Sequence, residues 1–134
     1  MDMKAYRLIP MEVCHVPEGL RAQAERNLSG SIAGSLFYGD EFLGCAGVKQ
    51  FWKGVGEAWF FMTPESSRHG RMIARLIKKR LESMQEYHRI QATVEIDFKE
   101  GIRFMGFLGF HREGILKKYT ADAKDSLMFA IIRS

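Results

Sequence analysis

The sequence is short of several things at once. No apolar run in its 134 residues approaches the ~20 needed to span a bilayer, so a membrane-spanning helix is not expected. Cysteine is scarce: Cys14 and Cys45 are too few for a disulfide framework. With His15, His69, His88 and His111 they form no recognisable metal-ligand spacing, so no metal is expected. The start, Met1-Asp2-Met3-Lys4-Ala5-Tyr6, lacks the apolar core and cleavage site of a signal peptide, and with so little cysteine a reducing cytoplasm is the expected compartment. No repeat, low-complexity tract or Pro/Gly/Ser linker divides the chain, so residues 1–134 read as a single domain. Neither charge dominates: 20 basic against 16 acidic residues leave +4, compatible with an anionic ligand without demanding one. No aromatic-basic RNA signature or recognition-helix motif is present, and nucleic acid is not an expected partner.

The residues that are present sort into short alternating elements. Tyr6–Val13 reads as a strand interrupted by Pro10, and Pro17-Glu18 opens a helix through about Leu28. Ser31–Phe37 and Glu41–Val48 read as strands joined at Gly39-Asp40, a tight hairpin signal. Gly54-Val55-Gly56 marks another turn. The run Glu57–Thr63 is nearly all apolar, which predicts a central strand buried on both faces. Ile73, Leu76, Ile77, Leu81 and Met84 recur at helical spacing and predict a helix over about Gly70–Tyr87. Then follow a strand over Ile90–Ile96, a short helix over Glu100–Leu108, a strand over Phe110–Tyr119 and a last strand over Ser126–Arg133. A hairpin run followed by β-α-β-α-β indicates an α+β chain with a mixed sheet flanked by helices.

The densest punctuation is Phe104-Met105-Gly106-Phe107-Leu108-Gly109-Phe110, where a helix exits through a glycine suited to positive φ and a phenylalanine enters the next strand. From Asp97 to Gly114 this segment resembles the C-terminal signature of the GNAT acyl-coenzyme A N-acyltransferases, often N-x-x-A-x-x-F-Y-x-x-x-G-F-x-x-x-G. The resemblance covers roughly Ser31–Arg133. It implies a central, mostly antiparallel sheet of about six or seven strands, splayed between the fourth and fifth, with about three helices. It also implies acetyl-coenzyme A, or another acyl-coenzyme A, as co-substrate and an amine as acceptor, either a small molecule or a protein.

Met62–Met72 is similar to that family's pyrophosphate-binding turn, Q/R-x-x-G-x-G/A, at a helix N-terminus where amides and a partial positive charge favour anions. Two registers remain open. Counting from Pro64-Glu65 puts Ser67 in the first slot, with Gly70 and Met72 in the glycine slots. Counting from the apolar helix face puts Arg68 first, with Arg71 and Ile73 in place of both glycines. Either way a small residue is lost, and a Met72 or Ile73 side chain would narrow the turn while Arg68, His69 and Arg71 add charge. An ordinary strand–helix connection with a basic cap is the competing reading. By resemblance the coenzyme-binding set is Phe61, Met62, Thr63, Arg68, His69, Gly70, Arg71 and Met72, with main-chain N–H groups around Phe61–Thr63 polarising the thioester.

The family's tyrosine, which protonates the departing thiolate, corresponds here to Met105, whose thioether has no proton to give. Phe98 stands in the N slot and Gly101 in the A slot. Tyr119, the nearest tyrosine on the following strand, is the substitute acid by position, against the plainer role of packing on the sheet. For a general base the candidates are Glu57 and Glu95, on the two strands that splay; Glu57 is preferred because its position is often acidic in the family. Cys45, within Leu43–Gly47, reads as a small buried hydrophobe.

Two functions follow from the resemblance. One is direct transfer of an acyl group from coenzyme A to an amine. The other is a non-catalytic fold reused as an interaction or assembly module, as in short GNAT-like proteins of tailed bacteriophages, some of them virion-associated. The short N-terminal part leaves room for a large acceptor or a homo-oligomeric partner.

Overall fold

The computed structural model describes residues 5–12, 15, 16, 18–22 and 31–133. Seven strands form one sheet: β1 (Tyr6–Pro10), β2 (Ser31–Tyr38), β3 (Glu41–Trp52), β4 (Val55–Met62), β5 (Arg89–Glu95), β6 (His111–Leu116) and β7 (Ser126–Ile132). Their order is β1-β2-β3-β4-β5-β7-β6. Two α-helices, α1 (Gly70–Ser83) and α2 (Lys99–Leu108), follow β4 and β5. Short 3-10 segments run over Glu18–Leu20 and Pro64–His69. The expected helix beyond residue 22 lies outside the described residues, as do Val13 and Cys14.

Every neighbouring pair is antiparallel except β4 and β5, which run parallel for only three rungs, Val55↔Arg89, Gly56↔Ile90 and Glu57↔Gln91. Beyond Glu57 the strands part: β4 stays with β3 as far as Met62, and β5 stays with β7 as far as Glu95. The splay between the fourth and fifth strands is therefore a property of the pairing.

Strand alternation sorts β4 onto two faces. Ala58, Phe60 and Met62 join the main core with Ile73, Ile77 and Leu81 of α1, whereas Trp59 and Phe61 pack with Met11, Val16 and Cys45. The expectation that this apolar run is buried on both faces needs correcting. Trp59, Phe60, Phe61 and Met62 are only half-buried, because β5 departs before it can cover them.

Other boundaries also move. β3 runs on to Trp52, so the turn is Lys53-Gly54 and Val55 already belongs to β4. Helix α1 stops at Ser83, where the Arg133 guanidinium takes the carbonyls of Leu81 and Met84 (2.6 Å to Met84), ending the helix with a cationic cap. β6 ends at Leu116, and Tyr119 belongs to the turn that follows. Helix α2 exits as its glycine foretells: Gly109 has φ 97° and donates to Gly106, and Phe110 donates to the Met105 carbonyl at 3.0 Å. No helix among the described residues is long and apolar enough to cross a membrane.

Candidate active site

The splay runs from the last rung of the β4–β5 ladder, at its closed end, to the turn into α1 at its open end, with α2 meeting β4 at Phe60. Glu57, half-buried, stands on that last rung with Lys49 as its β3 neighbour and Gln91 as its β5 neighbour. It forms no ion pair among the described residues. Gln91 is held in turn, since Arg89 Nε donates to its Oε1 at 3.0 Å. The Arg89 guanidinium reaches across β7 to Glu113 on β6 in a bidentate pair of 2.9 and 2.6 Å. That pairing raises the Arg89 pKa and lowers that of Glu113, the side-chain hydrogen bond being the main cause of each shift. Glu95, the other candidate base, is exposed at the end of β5.

Main-chain donors enter from β4. Thr63 gives its N–H to the Leu43 carbonyl at 2.9 Å. In this register the odd-numbered residues of β4 address β3, while the main-chain groups of Ala58, Phe60 and Met62 turn into the gap. Of the three amides expected there, Met62's faces the gap and those of Phe61 and Thr63 face β3. Phe60, not singled out from the sequence, faces the gap as well.

The turn into α1 is tied down at several points. Thr63 Oγ1 donates to the Leu43 carbonyl at 3.1 Å, and Ser66 Oγ to the Thr63 carbonyl at 2.6 Å. Gly70 gives its N–H to Ser67, and the His69 side chain, at the N-cap position, makes no capping hydrogen bond to the first turn of α1. His69 is buried: its Nδ1 lies 2.8 Å from the Tyr6 hydroxyl and its Nε2 lies 3.4 Å from Glu41. Arg68 pairs with the same carboxylate at 3.3 Å, and Arg71 is exposed on the first turn of α1.

Between α1 and α2 runs a cleft of about 340 Å³, lined by Gly70, Arg71 and Ala74 on one side and by Glu100, Arg103, Phe104 and Phe107 on the other. Met72 packs against the core and does not line this cleft. Ile73 is buried in the core. Phe104 meets Phe60 edge-on, with centroids 5.8 Å apart, which ties α2 to the gap-facing strand. The four α2 residues fall at i, i+3, i+4 and i+7, a helical stripe visible in the sequence but masked there by the G-F punctuation around it.

Met105 is buried in the core, so the slot of the family's acid is filled by a packing residue. Tyr119 is 53% exposed in the β6–β7 turn and gives its N–H to Lys124. Cys45 is buried, and burial pushes its thiol up to about 11. No group of three or more His, Cys, Asp or Glu suited to a metal occurs among the described residues.

This architecture is shared with solved acetyltransferases across nearly the whole chain. RimL, a ribosomal L7/L12 alpha-N-protein acetyltransferase solved in complex with coenzyme A, superposes with a TM-score of 0.79 at 14% identity, covering 96% of this chain and 94% of that one. A GNAT-family acetyltransferase from Bacillus anthracis gives 0.76 at 16% identity, covering 96% and 95%. The dodecameric spermidine N-acetyltransferase of Vibrio cholerae gives 0.73 at 14%, covering 98% and 95%. No protein-family model matches the sequence, and no curated protein matches it. At these identities the likeness establishes the fold, which is that of the GNAT acetyltransferases.

Proposed function

We infer that the protein is an N-acyltransferase that moves an acyl group, acetyl in the simplest case, from coenzyme A to an amine. The observation that carries this is the three-rung β4–β5 ladder. A parallel pair that parts beyond Glu57 leaves the strand-edge amides of Phe60 and Met62 without a strand partner among the described residues, and these suit an extended amide chain and a thioester carbonyl. The cleft beside it supports a nucleotide end. Phe104 and Phe107 offer aromatic faces, while Arg71 and Arg103 offer charge for phosphate. Arg68 and Arg71, with the positive end of α1, are the anion-binding elements of the turn. His69, its two ring nitrogens already engaged inside the fold, shapes that turn from within.

Glu57 accepts a proton from the amine, directly or through water. The nitrogen then attacks the thioester carbon, a C–N bond forms, and the C–S bond breaks to release the thiolate. Met105 gives no proton, so the thiolate leaves without a side-chain acid from that slot. General acids typically contribute ~10²–10⁴-fold, which makes a slow enzyme the expectation. Two relatives in fold act on a protein α-amine and on spermidine. A peptide with a free N-terminus and spermidine are accordingly the first acceptors to try. The dodecameric neighbour makes assembly of this chain into a homo-oligomer part of the same proposal.

One observation favours the alternative of a non-catalytic module, the kind encoded by some phages: Met105 is a core residue, and its position is unavailable to any acid without repacking. Release of coenzyme A thiol from acetyl-coenzyme A separates the two readings. The enzyme gives release that depends on added amine; a module gives none with any acceptor.

A further inference from the structure

Glu41 opens β3, and its carboxylate is a fork. One oxygen lies 3.4 Å from Nε2 of His69 and the other 3.3 Å from Nη2 of Arg68. The His69 side chain is only 6% exposed. Its Nδ1 meets the Tyr6 hydroxyl at 2.8 Å, and the rings of Tyr6 and Tyr38 lie against it at 5.5 and 4.9 Å. The imidazole is thus fixed by β1 and β2, and it fixes the carboxylate in turn. The Arg68 side chain is 69% exposed, yet it ends on this acid, itself 36% exposed. A carboxylate and a phosphate ask the same of a guanidinium: paired N–H donors and a positive charge.

We propose that Glu41 is an internal competitor for the anionic ligand of the β4–α1 turn, holding Arg68 until an incoming pyrophosphate group takes the guanidinium over. This rests on the coenzyme A reading and adds to it the residue that sets affinity. Arg71 forms no ion pair among the described residues and is free to make the first contact with the anion. Arg68 joins only after leaving Glu41. The affinity of the native protein is accordingly lower than its basic side chains alone would provide.

Calorimetric titration with coenzyme A and with inorganic pyrophosphate, at fixed ionic strength, tests this. Glu41→Gln keeps the hydrogen-bonding shape and removes the competing charge, and is expected to tighten Kd roughly two- to fivefold, the scale of an exposed ion pair. Arg68→Gln should erase the gain, so that the Glu41→Gln/Arg68→Gln double variant binds no more tightly than Arg68→Gln alone. Asp40→Asn, the same charge change one residue away on the exposed turn, should leave Kd nearly unchanged. A melting curve shows whether Glu41→Gln folds. If it does not, Glu41→Ala, which also removes the competing charge, is read in the same way. A folded Glu41 variant that binds no tighter, or an equal gain from Asp40→Asn, overturns the proposal while leaving the coenzyme A site standing. Absence of binding by native protein and variants alike removes both.

Discussion

Glu57 and Gln91 face each other across the last rung that joins β4 to β5. One residue further on, the sheet opens. The chain therefore sets a half-buried carboxylate at the vertex of the splay, beside an amide held by Arg89 of the same strand, which Glu113 anchors from across β7. This carboxylate is the group we propose as proton acceptor for an amine entering the gap.

Glu57→Gln should lower kcat by about 10²–10⁴-fold, the range of a lost general base, while Kd for acetyl-coenzyme A stays within about twofold, the scatter of a surface polar change. Steady-state kinetics and calorimetry on the same preparation check it. A parallel loss of binding would show that Glu57 supports the cofactor instead.

Met105→Tyr should not restore an acid. The side chain at this position is 2% exposed, and enlarging a packed core residue typically costs about 1–3 kcal/mol. Urea denaturation should show that loss with no rise in turnover. A faster enzyme would mean that the helix can turn this position toward the gap.

Gly101 and Phe98 are coupled. A Cβ added at Gly101 would lie 2.6 Å from the Phe98 ring and 3.0 Å from Val94. The aromatic in the family's N slot thus occupies the space that the usual alanine would need. Gly101→Ala should destabilise the native protein. With Phe98→Ala in place the same change should be neutral or stabilising, by up to about 1 kcal/mol of helix propensity. A double-mutant cycle in urea measures the coupling, and additive effects would contradict it.

The carboxyl of Glu113 sits below its ordinary value of 4.5, chiefly through the hydrogen bond from Arg89. A group whose pKa is depressed on folding stabilises the fold above its unfolded value, and that contribution fades as pH falls through the lower, folded one. Melting temperature should therefore fall between pH 5 and pH 3 more steeply for the native protein than for Glu113→Gln. Asp122 and Asp125, also depressed, leave a residual slope in the variant. Identical slopes would show that the pair does not stabilise the fold in solution.

Much of the fold is legible in local chemistry. Gly109 exits a helix because it alone takes φ 97° without strain, and Ile73, Ile77 and Leu81 mark the buried side of α1 by spacing. The site is less so, because its contacts join distant residues. Glu41 and Arg68 are 27 positions apart, and Tyr6 and His69 are 63 apart. Arg89 finds Glu113 only because β7, last in the chain, inserts between β5 and β6. β4 is half-buried rather than doubly buried for a related reason: hydrophobicity reports the need for cover, and Trp59–Met62 lose theirs to the splay, which hydropathy does not encode. In the gap itself, the donors are main-chain groups of Phe60 and Met62, which no side-chain pattern marks.

An acyltransferase built on this fold requires above all that the gap and cleft accept acyl-coenzyme A. Thermal unfolding of the purified protein with increasing acetyl-coenzyme A, with coenzyme A and ATP in parallel, tests this directly. Ligand at a hundred times Kd stabilises by about 2.7 kcal/mol, so a rise of several degrees that grows with the logarithm of ligand concentration, specific to the coenzyme A ligands, is the predicted result. An unchanged melting temperature up to millimolar acetyl-coenzyme A, or an equal rise with ATP, would contradict it.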